Sequence, residues 1–413
     1  MELLSLVDES RETGGFYVPR FEVKIEGAGL PRDVLRDVLQ LTYHDSVAEL
    51  DGFELTVANW DAATREFKYA GSEKPADLQG DDARARRFRL FEPCNKQVSV
   101  RMGYRDGLRT MLTGTVTTME PSFPTSGAPT LTVRGLNVLH QLRRKPYTWA
   151  WENRKDSEIA EALATMSDEE THNKRFPLAV EIDPKAKNAE VKLPYIAQQN
   201  QTDIDFLFSR ARERGYVMFI IEEQKLKNGT VRPRRLYFGP SHGGQGVVLR
   251  DVIYELEWGR ALLEFKPTLT TANQVRSVTV RGWDRAAKKP IEEKVDLDDP
   301  ELNRNKDLHH LLERCDPHED VVVNEPMFSK DQAKARARAL LQERQKGMVR
   351  ASGTTVGLPD LRAGQLVAIK GLGARFDGVY FITDTTHTIG DGGYTTQFNC
   401  HREFEGPKKG ATP

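Results

Sequence analysis

Thr132-Val133-Arg134-Gly135 and Thr279-Val280-Arg281-Gly282 are two copies of one phrase, and they set the first expectation for the fold. Each copy ends a stretch in which polar and apolar residues alternate, a pattern typical of a β-strand with one buried face. A weaker likeness accompanies them, because residues 102–116 and 369–380 each contain a strand pattern, a glycine-rich turn and a second strand pattern. We therefore expect a small β-domain to occur twice, once in each half of the chain.

Length and composition narrow the classes of protein to consider. The chain has 413 residues, of which 29% are charged, and its formal net charge is −1, which argues against a nucleic-acid protein with a uniformly basic surface. No apolar run approaches the roughly 20 residues that span a bilayer, and the N-terminus lacks the pattern of a secretory signal. Cys94, Cys315 and Cys400 are few and widely spaced, so we expect no disulfide framework and synthesis in a reducing cytoplasm.

The order of the patterns predicts a mainly β, α+β fold with two related β-barrel domains and smaller α/β domains between them. The predicted units are an N-terminal arm at 1–15, a first β-barrel domain at 16–148, a helical segment with a helix-hairpin α/β domain at 149–252, a second β-barrel domain at 253–405 with a polar insert at about 288–325, and a disordered tail at 406–413.

The strongest local motif lies at residues 199–216. Thr202 is suited to cap a helix whose acidic first turn and basic last turn both match the helix dipole. Gly215 is expected to end this helix in the left-handed conformation, and a buried strand follows it. Residues 31–39 and 329–341 also show helical spacing or helix-favouring composition.

A search for catalytic motifs returns neither a phosphate-binding loop nor a Gly-x-Ser-x-Gly elbow in the sequence. Asp360, Asp377, Asp384 and Asp391 suggest paired carboxylates of a tail-associated peptidoglycan hydrolase, which is the alternative function. Several of them fall in glycine-rich turns, where Asp is favoured for turn geometry alone, so the turn interpretation is preferred. His387 is expected to be structural.

His309, His310, Cys315 and His318 are the nearest approach to a metal-binding cluster. They lack a Cys-x-x-Cys partner and lie in a charged segment, so a solvated linker is favoured over zinc. We expect no catalytic residue, no cofactor and no metal.

Arg134 and Arg281 of the repeated phrase have two interpretations. Each is either an outward strand residue paired with a cross-strand acid, or an intersubunit or channel-facing charge that occupies corresponding places in two equivalent domains.

Four pieces of the chain together resemble the phage late control protein D family, whose tail hub proteins are related to the N-terminal hub part of VgrG. The pieces are Asp45-Ser46-Val47-Ala48-Glu49-Leu50-Asp51-Gly52-Phe53-Glu54-Leu55; Gly103-Tyr104 to Gly114 with Thr132-Val133-Arg134-Gly135; Asn200-Gln201-Thr202-Asp203-Ile204-Asp205-Phe206-Leu207 to Gly215-Tyr216; and Leu361-Arg362-Ala363-Gly364 to Tyr380 with His387 and Gly393-Tyr394-Thr395-Thr396.

The resemblance implies a structural baseplate hub, not an enzyme. Such hubs are homotrimers in which each copy carries two similar β-barrels around a central channel, so that a hexameric tail tube is adapted to a trimeric spike. The expected partners are the tail tube protein, a spike on a separate polypeptide, and baseplate wedge proteins, with no membrane insertion and no specific nucleic acid. The expected location is the bacterial cytoplasm during synthesis, then the baseplate of a phage tail or injection particle.

Overall fold

The computed structural model describes residues 2–5, 18–93, 96–104, 107–143, 145–172, 174–176, 178–225, 230–241, 252–285, 287–300, 302, 312, 318–325 and 327–402. Strands dominate these residues, and the mainly β, α+β class is confirmed. None of their helices is long and apolar enough to cross a membrane.

The strands and helices are numbered in chain order. The strands are β1 (Glu2–Ser5), β2 (Pro19–Ile25), β3 (Ala28–Gly29), β4 (Val38–Ser46), β5 (Gly52–Ala58), β6 (Trp60–Asp61), β7 (Glu66–Phe67), β8 (Gln97–Tyr104), β9 (Arg109–Ser122), β10 (Thr130–Asn137), β11 (Tyr147–Arg154), β12 (Ala179–Ile182), β13 (Leu193–Gln201), β14 (Tyr216–Ile221), β15 (Gln224–Lys225), β16 (Val231–Arg232), β17 (Arg235–Pro240), β18 (Val252–Glu257), β19 (Leu262–Leu269), β20 (Ser277–Asp284), β21 (Lys289–Asp296), β22 (Glu319–Val322), β23 (Val349–Val356), β24 (Leu366–Lys370), β25 (Gly378–Gly390) and β26 (Gly393–Arg402). The helices are α1 (Arg32–Asp37), α2 (Pro75–Gln79), α3 (Ala83–Phe88), α4 (Asp156–Leu163), α5 (Pro184–Ala189), α6 (Asp203–Arg214) and α7 (Lys330–Lys346), with a 3₁₀ turn at Val138–Arg143.

One large sheet joins the two halves of the chain through the long strand β25. On one edge, the start of β25 pairs with β24 and the rest of it pairs with β4. On the other edge β25 pairs with β26, which continues the sheet to β23 and β19. From β4 the sheet runs through β5, β10, β9 and β8 to β2 and β3. The C-terminal hairpin β25–β26 is therefore shared between both halves.

The expectation of two β-barrels is corrected by this pairing. The strands that the structure describes form an open, branched sheet and do not close into a barrel. An open sheet results because β25 carries three strand partners, so that strands from the two halves join one sheet.

The two copies of the repeated phrase do not occupy equivalent places, which corrects a second expectation. Arg134 lies on β10, between β5 and β9, and both neighbours are antiparallel. Arg281 lies on β20 of a separate three-stranded sheet, between antiparallel β21 and parallel β22. The shared glycine serves close packing in both copies, but against different partners: the ring of Phe53 at Gly135, and Met327 at Gly282.

The buried apolar residues form separate cores. The core under β2, β4, β5, β8, β9 and β10 also receives Ile389 and Tyr394 from the C-terminal hairpin. A second core lies under β23–β26, a third joins α4 and α6 to β14 and β17, and a fourth joins α7 to β20 and β21. The hairpin thus contributes to two of the cores that it links.

The local prediction for α6 is confirmed. Thr202 Oγ1 accepts a hydrogen bond from the backbone N–H of Asp205, and Gly215 ends the helix with φ of 70°. The helix at 31–39 is shorter than predicted, because Val38 and Leu39 already belong to β4. Pairing of Val38 with Val57 on β5 competes with helix formation there.

Candidate functional site

The large sheet presents one continuous polar face across eight neighbouring strands, β19–β23–β26–β25–β4–β5–β10–β9. Cross-strand pairing puts Thr395, Thr388, Thr42, Glu54 and Arg134 in one row across five strands. The side chains of this polar face are all at least partly exposed: Glu264, Lys266, Ser352, Thr354, Thr395, Gln397, Asn399, Asp384, Thr386, Thr388, Thr42, His44, Glu54, Thr56, Thr132, Arg134, Thr118 and Glu120.

Period-two alternation produces this arrangement. Leu41, Leu55 and Val133 alternate with the polar residues of their strands and are buried on the opposite side of the sheet. Because successive side chains of a strand point to opposite faces, a shift of one residue would exchange the two faces. The core therefore holds the register that keeps the polar face polar.

Of the two arginines of the repeated phrase, only Arg134 lies on the polar face. Its Nε donates to Glu54 Oε2 at 2.8 Å, and Nη1 donates to Glu120 on the other neighbouring strand. The side chain is still 44% exposed. Arg134 thus has the cross-strand acid partners of the first interpretation and also an open position on the shared sheet.

Arg281 lies elsewhere. Its Nη2 is 3.3 Å from Glu292 Oε1 on the neighbouring strand β21, and both side chains are more than half exposed. The structure does not bring Arg281 and Arg134 into one sheet.

Directly behind the polar face lies a buried ionic cluster that sequence reasoning missed, here named the Arg362 junction: Arg362, Asp45, Asp51, Tyr43 and Thr385. Nε of Arg362 donates to Asp45 Oδ2 at 2.6 Å, while Nη2 donates to the Tyr43 hydroxyl and to the Met111 carbonyl oxygen. The guanidinium carbon lies 4.5 Å from the centre of the Tyr43 ring. Asp45 Oδ1 also accepts from the Thr385 hydroxyl on β25.

A sequence signal for this cluster exists in hindsight. Asp45 occupies a core-facing position of β4, in phase with Leu41 and Tyr43. A buried carboxylate requires a partner, but its partner Arg362 follows 317 residues later.

Asp51 is the second carboxyl group of the junction, and it accepts one backbone and one side-chain hydrogen bond. Its oxygens accept from the Ser46 backbone N–H at 3.3 Å and from Asn137 Nδ2 at 2.9 Å. Burial, and next the nearby Asp45 carboxylate, raise the pKa of Asp51 to about 7.

His387 is structural, as expected. It is fully buried, its Nε2 donates to the Leu361 carbonyl oxygen at 3.0 Å, and its Nδ1 lies 3.0 Å from the hydroxyls of Tyr394 and Thr396. Burial lowers the pKa of His387 to about 3, so the ring is neutral at physiological pH.

Three of the four carboxylates considered for hydrolysis have structural partners, and Asp391 is exposed in the turn between β25 and β26. Asp360 lies 3.1 Å from Arg109 Nε, Asp377 accepts from the Leu372 backbone N–H at 2.7 Å, and Asp384 accepts from Asn399 Nδ2 at 2.6 Å. These are contacts of turns and strands.

The candidate metal cluster falls mostly outside the described residues. His309, His310 and Cys315 lie there, and His318 is described as an exposed residue. Across the described residues, no group of three or more His, Cys, Asp or Glu side chains is arranged to hold a metal.

Solved tail proteins, one of them from a prophage, share this fold over nearly the whole chain. A 43 kDa tail protein of prophage MuSo2 from Shewanella oneidensis is 15% identical with a TM-score of 0.61, over 93% of this chain and 98% of that one. A tail protein from Neisseria meningitidis is 14% identical with a TM-score of 0.61, over 94% and 97% of the two chains.

A third similar structure is a component of the type VI secretion system of E. coli, described as structurally similar to the T4 bacteriophage tail proteins gp27 and gp5. It is 12% identical with a TM-score of 0.53, over 95% of this chain and 80% of that one. No curated protein matches the sequence. A family model described as the Alg8 N-terminal domain matches residues 17–391, and this chain belongs to that family.

Proposed function

We propose that the chain is a structural component of the baseplate of a contractile phage tail or a phage-tail-like injection system, where three copies form a hub around a central channel. The observation that carries the proposal is the likeness of fold to phage tail proteins over nearly the full length of both chains. The hub would join a hexameric tail tube to a trimeric spike, and would contact wedge proteins around its rim.

The shared sheet supports this role on physical grounds. A hub between six-fold and three-fold partners needs two β-rich lobes held in a fixed relation within each copy. The hairpin β25–β26 supplies that relation, because it pairs with strands of both halves and contributes to both of their cores. The Arg362 junction adds a buried ionic contact at the same place.

The polar face has the chemistry of a channel wall. Its eight strands, spaced about 4.8 Å apart, make a surface wide enough to line a passage. Hydroxyl and amide groups predominate, and the charges are of both signs, including Arg134 between Glu54 and Glu120. Because this wall has no large apolar patch, an unfolded chain would adhere to it weakly. Because its charges are of both signs, a polyanion would also bind to it weakly. Arg134 is accordingly proposed to face the channel.

A catalytic role is not part of the proposal. Asp360, Asp377 and Asp384 are engaged in contacts that hold turns and strands, and two of the similar solved proteins are described as tail proteins.

Cysteine accessibility tests the channel assignment. In a background with Cys94→Ser and Cys315→Ser, Thr56→Cys or Gln397→Cys places one thiol on the polar face, and Ser126→Cys places a control thiol on an exposed turn. Each variant is treated with a small maleimide and with a large polyethylene-glycol maleimide, before and after assembly with tube and spike proteins.

We expect the two face thiols to react with both reagents in the free chain, and with the small reagent alone after assembly. The control thiol should react with both throughout. Reaction of the face thiols with the large reagent after assembly would contradict a channel location. Protection from both reagents would indicate a buried interface instead.

A further inference from the structure

A cleft of about 850 Å³ lies at one end of the polar face, where α6 and α7 approach the sheet. Its walls come from the two helices, and its floor comes from β19, β23, β25 and β26. Three structural units therefore meet around this cavity, here named the basic cleft.

Four cationic side chains line the basic cleft: Arg212 on α6, Lys346 at the end of α7, Lys266 on β19 and Arg350 on β23. Arg212, Lys266 and Arg350 are exposed. None of these three has a carboxylate within salt-bridge distance among the residues that the structure describes. Lys346 Nζ donates to the Ser241 hydroxyl at 2.6 Å.

Neighbouring arginines of the same helices behave differently. Arg210 and Arg214 of α6 both contact Asp156, and Arg336 of α7 contacts Glu325. Among the described residues, these helix cations that face other elements have carboxylate partners, whereas Arg212, which faces the cleft, has none.

The acidic lining does not balance these cations. Only Glu343 and Asp384 among the lining residues are acidic, and Asp384 already accepts from Asn399 and from the Thr383 hydroxyl. Val47, Phe208 and Val217 line the cleft as partly exposed apolar side chains. The cleft thus combines unpaired positive charge with an apolar lining.

We propose that the basic cleft binds an extended acidic peptide segment of a partner protein. Carboxylates of the segment would pair with Arg212, Lys266 and Arg350, and an apolar side chain between them would rest on the apolar lining. One feature favours a peptide over a phosphate group: the cations are spread around an apolar lining, where a single phosphate could not reach all three. Occupation would tie α6 and α7 to the large sheet. This inference rests on the single chain and does not depend on the hub proposal.

Fluorescence anisotropy with a labelled (Glu-Glu-Phe)₃ peptide tests the proposal. We expect saturable binding at low salt that weakens at least tenfold at high salt, and no binding of the matched (Gln-Gln-Phe)₃ peptide. The triple variant Arg212→Gln/Lys266→Gln/Arg350→Gln should bind at least tenfold more weakly than wild type. The control Arg36→Gln/Arg232→Gln/Lys289→Gln, which removes three exposed cations elsewhere, should bind like wild type. Thermal melting checks that both triple variants are folded.

Several outcomes would overturn the assignment. Equal binding of the glutamine peptide, or unchanged binding by the cleft variant, would remove the charge argument. Tighter binding of an oligothymidylate that competes with the peptide would identify a nucleic-acid site. Binding that appears only when the chain ends at Arg402 would point to its own residues 403–413, which include Glu403 and Glu405, as the occupant.

Discussion

Asp45 and Arg362 form a buried ion pair, with 2.6 Å between Asp45 Oδ2 and Arg362 Nε, although they are 317 positions apart in the chain. Asp45 lies on β4 of the first half, and Arg362 precedes β24 of the second. Their side chains are 6% and 11% exposed. The pair therefore fixes the two halves to each other at the place where β25 and β4 share the sheet.

Removal of the Arg362 side chain should be strongly destabilising. Arg362→Met leaves the Asp45 carboxylate buried without its cation, which costs about 3–5 kcal/mol in free energy of unfolding. Chemical denaturation of the purified chain measures this quantity.

Arg109→Met is the matched control for that variant. It breaks the Arg109–Asp360 pair, in which the arginine side chain is 59% exposed, and should cost about 1 kcal/mol or less. Equal effects of the two variants would show that the junction has no special role in stability.

Titration of Asp51 should make the stability of the wild-type chain depend on pH. Its pKa is about 7 in the folded chain and about 4 when unfolded, so the folded state binds the additional proton between these values. The contribution of Asp51 to the free energy of unfolding therefore falls as pH rises from about 4 to about 7, by up to about 1.4 kcal/mol per pH unit. Asp51→Asn lacks this loss, and its free energy of unfolding should rise relative to wild type across the same range. Parallel curves for the two proteins would refute the assignment.

The effect of His387 on the pH dependence of stability is opposite to that of Asp51. Its pKa falls to about 3 on folding, from about 6.5 in the unfolded chain, so the stabilising contribution of neutral His387 is lost as pH falls through this interval. The two effects overlap between about pH 4 and 6.5 and partly cancel in wild type. His387→Gln removes one of them, so its stability should decline more steeply with rising pH than that of wild type, as measured by denaturation at stepped pH.

Helix α6 could be predicted from the sequence because the residues that begin and end it are its own neighbours. Thr202 and Gly215 lie at the ends of the helix that they cap, so the bounds of α6 follow from neighbouring residues. The partner of β4 was not readable, because β25 lies more than 300 residues away and pairs with it through the register of Thr386 and His44. The same long-range pairing brings Asp45, which pairs with Thr385 on β25, to the place where it meets Arg362.

The prediction that the two copies of the repeated phrase occupy equivalent places was wrong for a related reason. Four residues with strand alternation predict a strand, but they do not determine which strands lie beside it. Arg134 and Arg281 each form an ion pair with a glutamate on a neighbouring strand. Such cross-strand pairs of opposite charge are favoured in any antiparallel sheet. Their sheets differ because the segments around them have different partners.

Gly135→Ala should destabilise the chain by overpacking. A methyl group there would collide with the Phe53 ring and come within 2.5 Å of the Thr115 carbonyl oxygen, which costs about 1–3 kcal/mol in free energy of unfolding. Gly29→Ala is the control, because its added methyl group meets open space. A Gly135→Ala variant as stable as the control would contradict the packing described for β10.

Arg134→Ala should leave the fold and the assembled mass of the hub almost unchanged. Its ion pairs are partly exposed, so their loss costs about 1 kcal/mol or less, and a channel-facing side chain makes no contact between copies. Arg281→Ala, on the separate sheet, is the matched control. Loss of assembly in Arg134→Ala alone, seen by light scattering, would place Arg134 in a subunit interface.

The mass of the assembled particle tests the hub proposal most directly. Size-exclusion chromatography with multi-angle light scattering measures it for the wild-type chain alone and after mixing with the tube and spike proteins of the same system. The account predicts three copies of the chain per particle, with tube and spike proteins bound. A chain that stays monomeric in both conditions would contradict the hub.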